Sequence, residues 1–334
     1  MNKFLLLIII ACFGFITANG QFKKYIYYAD KMGSPLKIII GAKPNQIDSV
    51  QSTQLAQETL QLIDSLIHIL SDYDSTSELS KMNHHAGKGV QSISPMMEEI
   101  LVIAQKAYYQ TKGAYNIAIG PLSVLWRNAR QSKIFPQASQ IKAAQELIQF
   151  DQIGIDTIHH QINIPKAGMK LDLGSLGKGF IAQKAMNYLT SKGIEYAMID
   201  AGGKIVTMAP NKAFWTIGIN QIRDKNKAIN KTLKLSNHAV ATSGDAYQFF
   251  IYKGHRYSHI INPLTGYGIE IPKNITVIAR DGTTADWLST ACSILSVKEA
   301  LELVKQYNAA IFIAVQKNKY IQYYSSKNFN AFLN

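Results

Sequence analysis

Leu171-Asp172-Leu173-Gly174-Ser175-Leu176-Gly177-Lys178-Gly179-Phe180 (residues 171–180) is the densest signal in this chain of 334 residues. Its apolar start reads as a strand over Met169–Leu173. Lys178–Ser191, stopped by Gly193, reads as a helix. Between them stand three glycines and a lysine. Glycines let backbone N–H groups approach an anion, a helix N-terminus carries partial positive charge, and Lys178 adds a full one. We read the segment as a cradle for a phosphate or pyrophosphate. It is not a P-loop, because the glycines are too close and Gly179 stands where Ser or Thr would follow the lysine. Two other readings stay open. Gly177 to Ala182 imitates the G-x-G-x-x-A dinucleotide fingerprint with Asp200 ending the next strand, although Gly174-Ser175-Leu176 intervenes. A glycine-rich turn into a core helix needs no ligand.

Outward from this segment the periodicities alternate between helix and strand. On the N-terminal side, Tyr25–Tyr28 and Leu36–Ile40 read as strands around Met32-Gly33-Ser34-Pro35. Leu55, Leu62, Leu66 and Ile69 recur at helical spacing over 51–70. Pro95 opens a helix to Thr111, as Pro at a first turn should. Ile141–Phe150 reads as a shorter helix and Ile153–Ile164 as a hairpin. On the C-terminal side, Tyr196–Ile199 is a strand. Phe214–Val277 is mostly strands with a tight Lys253-Gly254 turn. Thr284–Leu295 and Val297–Tyr307 are helices, and Ile311–Tyr324 is a closing hairpin. Helices grouped early and late around many strands imply an α+β fold with a largely antiparallel sheet.

Composition is globular, with 47% apolar and 17% charged residues. No repeat or Pro/Gly/Ser-rich linker divides the chain. Residues 1–20 are set apart: Lys3, an apolar run over 4–16, then Ala18-Asn19-Gly20. We read them as a secretory signal peptide and 21–334 as a single domain. The run is shorter than the roughly 18 residues of a membrane span. Ile9-Ile10-Ala11-Cys12 also resembles a lipobox, so lipidation and an uncleaved anchor remain alternatives. Cleavage would leave Cys292 alone, in an apolar run, as a buried thiol. The net charge of +13 is spread over the chain without a basic block, which gives little support to nucleic-acid binding. It favours an anionic ligand or an anionic membrane. The adjacent pairs His84-His85 and His159-His160 read as surface histidines.

Other segments could carry chemistry. Asp286 and Thr290 stand at i and i+4 on one helix face, and a carboxylate with a hydroxyl there suits a hard cation such as Mg²⁺. In Arg256–Gly266, His259 sits before an apolar dipeptide, as a general base, a ligand contact or a structural histidine. Ala241-Thr242-Ser243-Gly244-Asp245 reads as a polar turn. Ser75 and Glu78 stand at capping-box spacing, with Tyr73 beside them as a ring that could stack.

Taken in order, these segments resemble the ApbE family of FAD:protein FMN transferases over nearly the whole chain after residue 20. The resemblance rests on Met32-Gly33-Ser34, Tyr73–Ser80 with Met82-Asn83, and Gly113-Ala114-Tyr115-Asn116 with Gly120-Pro121-Leu122 and Trp126. It continues through Leu171–Gly179, Gly202-Gly203, Thr242–Asp245, Ser258–Gly266, and Ala285-Asp286 with Thr290. It implies an ApbE-like (T-fold-like) architecture, with helices packed on the sheet. It further implies FAD contacts at Met32, Tyr73, Ala114, Tyr115, Asn116, Asp172, Lys178 and Ile261. A Mg²⁺ site at Ser175 (through its carbonyl), Asp286 and Thr290 follows, with acid/base work at His259 or Asp286. The implied reaction moves FMN from FAD to a Thr or Ser of an acceptor and releases AMP. Family acceptors are exported flavoproteins or membrane redox subunits, such as those of sodium-pumping quinone reductases and Rnf-type complexes. The expected location is therefore the periplasm or the periplasmic face of a membrane. Asn116 where Asp is usual, Ala118 for Thr, Lys204 after the glycine pair, and Asn262 before Pro263 depart from the family pattern. A Mg²⁺-dependent FAD pyrophosphatase and a non-catalytic FAD-binding protein are the alternatives.

Overall fold

The computed structural model describes residues 22–219, 231–244, 249–317 and 320–334. The signal peptide expected over 1–20, and Asp245, lie outside the described residues.

β1 (Lys23–Lys31) and β2 (Ser34–Ala42) pair antiparallel, with Tyr27 opposite Ile38 and Lys31 opposite Ser34. Met32 and Gly33 turn the chain at φ 54° and 65°, the positive-φ pair that matches the twist of a two-residue hairpin. A largely helical stretch follows: α1 (Ser49–Leu70), α2 (Glu78–His85), the short β3 (Val90–Ser92), α3 (Pro95–Gln110), α4 (Gly120–Ser132), α5 (Ala138–Gln145), β4 (Gly154–Asp156), β5 (Gln161–Asn163) and α6 (Gly177–Ser191). Strands then dominate: β6 (Tyr196–Ala201), β7 (Lys204–Met208), β8 (Trp215–Ile219), β9 (Lys231–Leu235), β10 (Ala239–Gly244), β11 (Phe249–Tyr252), β12 (His255–Ser258) and β13 (Lys273–Ala279). α7 (Gly282–Ile294), α8 (Val297–Gln306), β14 (Ala310–Lys317) and β15 (Tyr320–Ser325) complete the order.

The main sheet has eight strands in the order β1-β2-β6-β7-β10-β13-β14-β15, every neighbouring pair antiparallel. Spatial order follows chain order, so each intervening segment is an excursion from one meander. Period-two alternation assigns the faces. Leu36, Ile38 and Ile40 of β2, Ala197 and Ile199 of β6, Ile275 and Val277 of β13, and Ile311 and Ile313 of β14 join the helical core. Ile39, Met198, Val240, Ile278 and Phe312 point the other way, against Trp215 and Ile217 of β8, Leu233 and Leu235 of β9, and Phe329. The result is the expected α+β architecture, helices on one face of an antiparallel sheet.

Several local expectations change. Met169–Leu173 is extended but joins no ladder beyond one bridge from Lys170 to Ile119. The Asn83 side chain occupies both backbone groups of Leu171, at 2.7 and 2.9 Å, while Lys170 O and Asp172 N are taken by Gly120 N and Ile117 O, so the segment pairs with that loop and not with a strand of the sheet. α2 is capped by Ser77, whose Oγ accepts from Ser80 N, rather than by Ser75. Glu78 accepts from Ser94 N at 2.7 Å and ties α2 to the start of α3. α5 stops at Gln145, where Leu147 and Ile148 bond back to i−3 carbonyls and tighten the end. α4, absent from the sequence reading, starts with Pro121 in its first turn and buries Leu122, Trp126 and Ala129. Ala241–Gly244 belongs to a strand, with Thr242 opposite Thr276. His84, His159 and His160 are exposed and His85 half-buried. Cys292 is buried, and burial pushes its thiol up to about 12.

Candidate active site

α6 and α7 cross where each carries a glycine. A Cβ on Gly179 would lie 2.1 Å from Gly282 O, and one on Gly282 would lie 2.6 Å from Gly179 O. Only hydrogen fits at this crossing, and the close approach lets α7 deliver a side chain to the N-terminus of α6. Asp286, one turn into α7 and 1% exposed, accepts from Gly179 N through Oδ2 at 2.8 Å. A carboxylate on a helix N-terminus is favoured by the unpaired N–H groups and the dipole there.

The glycine segment therefore works differently from a cradle built of its own amides. Gly174 N bonds Asp172 Oδ1, Gly177 N bonds Leu173 O, and Gly179 N bonds Asp286. All three glycine N–H groups are used internally, because the turn must close tightly and anchor α7. The positive charge left for a ligand is Lys178. Its Nζ donates to Ser34 Oγ at 3.1 Å and has no direct carboxylate ion pair among the described residues. Burial holds the Lys178 ammonium below the usual lysine range, with Asp286 opposing and Lys204 adding to the shift.

Ser175, Asp286 and Thr290 converge. Thr290 Oγ1 stands 3.4 Å from Ser175 O, one helical turn beyond Asp286. A carbonyl, a carboxylate and a hydroxyl form an all-oxygen set suited to a hard cation that keeps several waters. The residues present thus fit Mg²⁺, although no cluster of three His, Cys, Asp or Glu residues occurs among the described residues. Asp286 Oδ1 is shared with an internal cation: Lys204 Nζ lies 3.0 Å away.

These groups open into a cavity of about 360 Å³, within the usual range for small-molecule sites. It is lined by Tyr73, Ala114, Tyr115, Asn116, Asp172, Ser175, Lys178, His259, Ile261, Asp286 and Thr290. Every residue expected at the site is there except Met32. Met32 occupies the β1–β2 turn beside this cavity's Ser34–Lys178 contact and packs in part against the helical core. Ser34, two residues on, reaches Lys178.

The wall is built from buried scaffolding. Tyr115 is 2% exposed; its hydroxyl accepts from Ser175 Oγ at 2.9 Å and its ring meets Trp287 edge-on. Burial pushes that phenol far above its ordinary value. Asn116 donates to Ile148 O and accepts from Ala118 N, at 2.9 and 2.8 Å. An ionised Asp could accept but not donate, so Asn here locks the loop. His259 follows β12, and Ile261 is held by a bridge to Gly268.

Sequence reasoning missed the opposite wall. Arg127 and Arg130 stand at i and i+3 on α4 and face the cavity with Asp72. Arg127 pairs with Asp72 at 2.6 Å and lies 4.1 Å over the Tyr73 ring. Tyr73 is 77% exposed, so its outer face is open for stacking. Arg130 Nη1 is buried without a hydrogen-bond partner among the described residues. The Pro121 signal at a helix start would have placed both arginines on one face.

A family model described as the ApbE family matches residues 32–313. A protein of Klebsiella pneumoniae named FAD:protein FMN transferase is 29% identical over 296 residues, covering 88% of this chain and 90% of that one. A Vibrio cholerae protein of the same name is 26% identical, with 90% of each chain covered. Among solved structures, the flavin transferase ApbE of Vibrio cholerae superposes with a TM-score of 0.83 at 24% identity, covering 93% of this chain and all of that one. The ApbE protein of Thermotoga maritima gives 0.82 at 26% identity, covering 93% and 99%. With the family pattern matched along most of its length and the fold shared throughout, this chain belongs to the ApbE family.

Proposed function

We propose that residues 21–334 form a Mg²⁺-dependent FAD:protein FMN transferase. It is exported by its leader and modifies a Thr or Ser of an exported or membrane-bound redox protein, in the periplasm or on the periplasmic face of a membrane. The observation that carries the reading is the convergence of Lys178, Ser175, Asp286, Thr290 and His259 on one cavity. Relatives bearing the transferase name support it.

The acceptor hydroxyl oxygen attacks the FMN-side phosphorus of FAD. A new phosphoester P–O bond forms, the P–O bond of the diphosphate bridge breaks, and AMP leaves. Mg²⁺, when bound, offsets charge on the diphosphate. Lys178 holds a diphosphate oxygen with a point charge, and Tyr73 stacks on a ring of the dinucleotide. Oδ2 of Asp286 is engaged by Gly179 N, and Oδ1 is the oxygen that would serve the cation. We therefore assign the hydroxyl proton to His259. Alignment and charge stabilisation carry most of the rate in this chemistry.

Incubation with FAD, Mg²⁺ and an acceptor protein tests the reading. AMP released in step with protein-bound flavin is the expected result. AMP and free FMN without acceptor would make the chain a pyrophosphatase, and intact bound FAD would make it a binding protein. Asp286→Ala is expected to abolish turnover; full activity would remove the cation site from the account.

A further inference from the structure

We propose that Lys204 is the internal counter-cation of the cation site, holding Asp286 until a divalent ion and the dinucleotide displace it. The proposal rests on the metal assignment above. Lys204 opens β7, directly after Gly202 and Gly203, both at positive φ (63° and 86°). That turn drives its side chain inward, where 13% is exposed. Nζ lies 3.0 Å from Asp286 Oδ1 and donates to Thr242 O at 3.0 Å. Ser243 Oγ and Ser289 Oγ follow at 3.4 and 3.5 Å. An ammonium has three protons and no acceptor, so this oxygen nest fits it fully.

Asp286 is left with little to offer a second cation. Oδ2 is bound to Gly179 N, and Oδ1 is the oxygen that Lys204 holds. A divalent ion ligated by Ser175 O, Oδ1 and Thr290 Oγ1 would sit within a few ångströms of the ammonium. Two cations on one buried carboxylate oxygen repel strongly. The ion therefore binds weakly while Lys204 stays, and tightly once Lys204 turns toward an anion. The diphosphate of FAD is such an anion, entering the same cavity. Lys204 thus makes metal and dinucleotide binding mutually dependent, and by linkage each strengthens the other equally. It acts through Asp286 and is a positioning residue.

The test is Mn²⁺ binding by calorimetry on the folded protein without FAD, with a thermal melt to certify each variant. Lys204→Gln is expected to bind Mn²⁺ at least tenfold more tightly than the parent. Lys204→Arg, which keeps the charge, is expected to stay weak. A merely structural lysine would not yield tighter metal binding on removal. Equal or weaker Mn²⁺ affinity in Lys204→Gln overturns the proposal. Should that variant not fold, a crystal of the parent chain with Mn²⁺ and FAD decides. Lys204 Nζ out of hydrogen-bond reach of Asp286 Oδ1 is expected, and Nζ still bonded beside a bound ion overturns it. Asp286→Asn separates the two levels. Undiminished Mn²⁺ binding there sinks the metal assignment itself. Lost binding there, with no tightening in Lys204→Gln, sinks only the role of Lys204.

Discussion

Replacing Gly179 with Ala should damage fold and chemistry together, because the α6–α7 crossing supplies both. The added Cβ would lie 2.1 Å from Gly282 O and 2.6 Å from Asp286 Cβ. Cβ atoms do not approach other heavy atoms closer than 3.0 Å, so the helices must separate by about 0.9 Å at least. Neither obstacle is the end of a flexible side chain, which places the strain near the upper end of the ~1–3 kcal/mol for overpacking. Better helix propensity returns ~1 kcal/mol. The net loss of about 2 kcal/mol corresponds to roughly 3 °C in Tm for a domain of this size. The same shift lengthens the bond from Gly179 N to Asp286 Oδ2 and moves Asp286 relative to Ser175. A misplacement of about 1 Å at a reacting centre can cost ~100-fold in turnover. The assay pairs calorimetric melting with AMP release. Gly177→Ala is the control: nothing lies within 4 Å of its Cβ, so it should match the parent or gain up to ~1 kcal/mol. Parent-like melting and turnover in Gly179→Ala would refute the claim that this crossing sets the site.

Arg130→Met should weaken FAD binding about tenfold while the free protein melts at the same temperature or higher. A buried guanidinium nitrogen without a partner, as Arg130 Nη1 is among the described residues, costs ~1–3 kcal/mol until a ligand satisfies it. FAD titration monitored by flavin fluorescence checks this. Burial depresses the Lys178 ammonium, so as pH rises it loses its proton before an ordinary lysine does. FAD affinity should therefore fall on the alkaline side earlier than ordinary lysine titration would allow, and Lys178→Arg should move that fall to higher pH. Cys292, buried with its thiol pushed up to about 12, should resist alkylation in the native protein and react only after denaturation. Mass spectrometry of the peptide carrying Cys292 reads it directly.

Much of this molecule is legible in its sequence because the chemistry is segmental. Period-two runs such as Leu36–Ile40 and the 3.6-period over 51–70 declare their own burial, and the meander keeps neighbours in chain order. The cavity wall was legible for the same reason: Asp172, Ser175 and Lys178 share one turn, and Asp286 and Thr290 share one helix face. What stayed hidden depends on long-range partners. Nothing local says that the N–H of Gly179 is claimed by Asp286, 107 residues away. The sequence shows Lys204 as a departure, but not that its ammonium meets that same carboxylate. Nor does the sequence show that Ser34, two residues after Met32, is the residue of that turn that receives the Lys178 ammonium.

The most direct measurement is intact-mass and peptide mass spectrometry of candidate exported acceptor proteins after reaction with FAD and Mg²⁺, using the parent chain and Asp286→Ala in parallel. The expected result is an FMN adduct on a single Thr or Ser of the acceptor, formed with the parent and absent with the variant. An adduct formed equally by the Asp286 variant would contradict the proposed site, and free FMN with unmodified acceptor in every case would contradict the transfer.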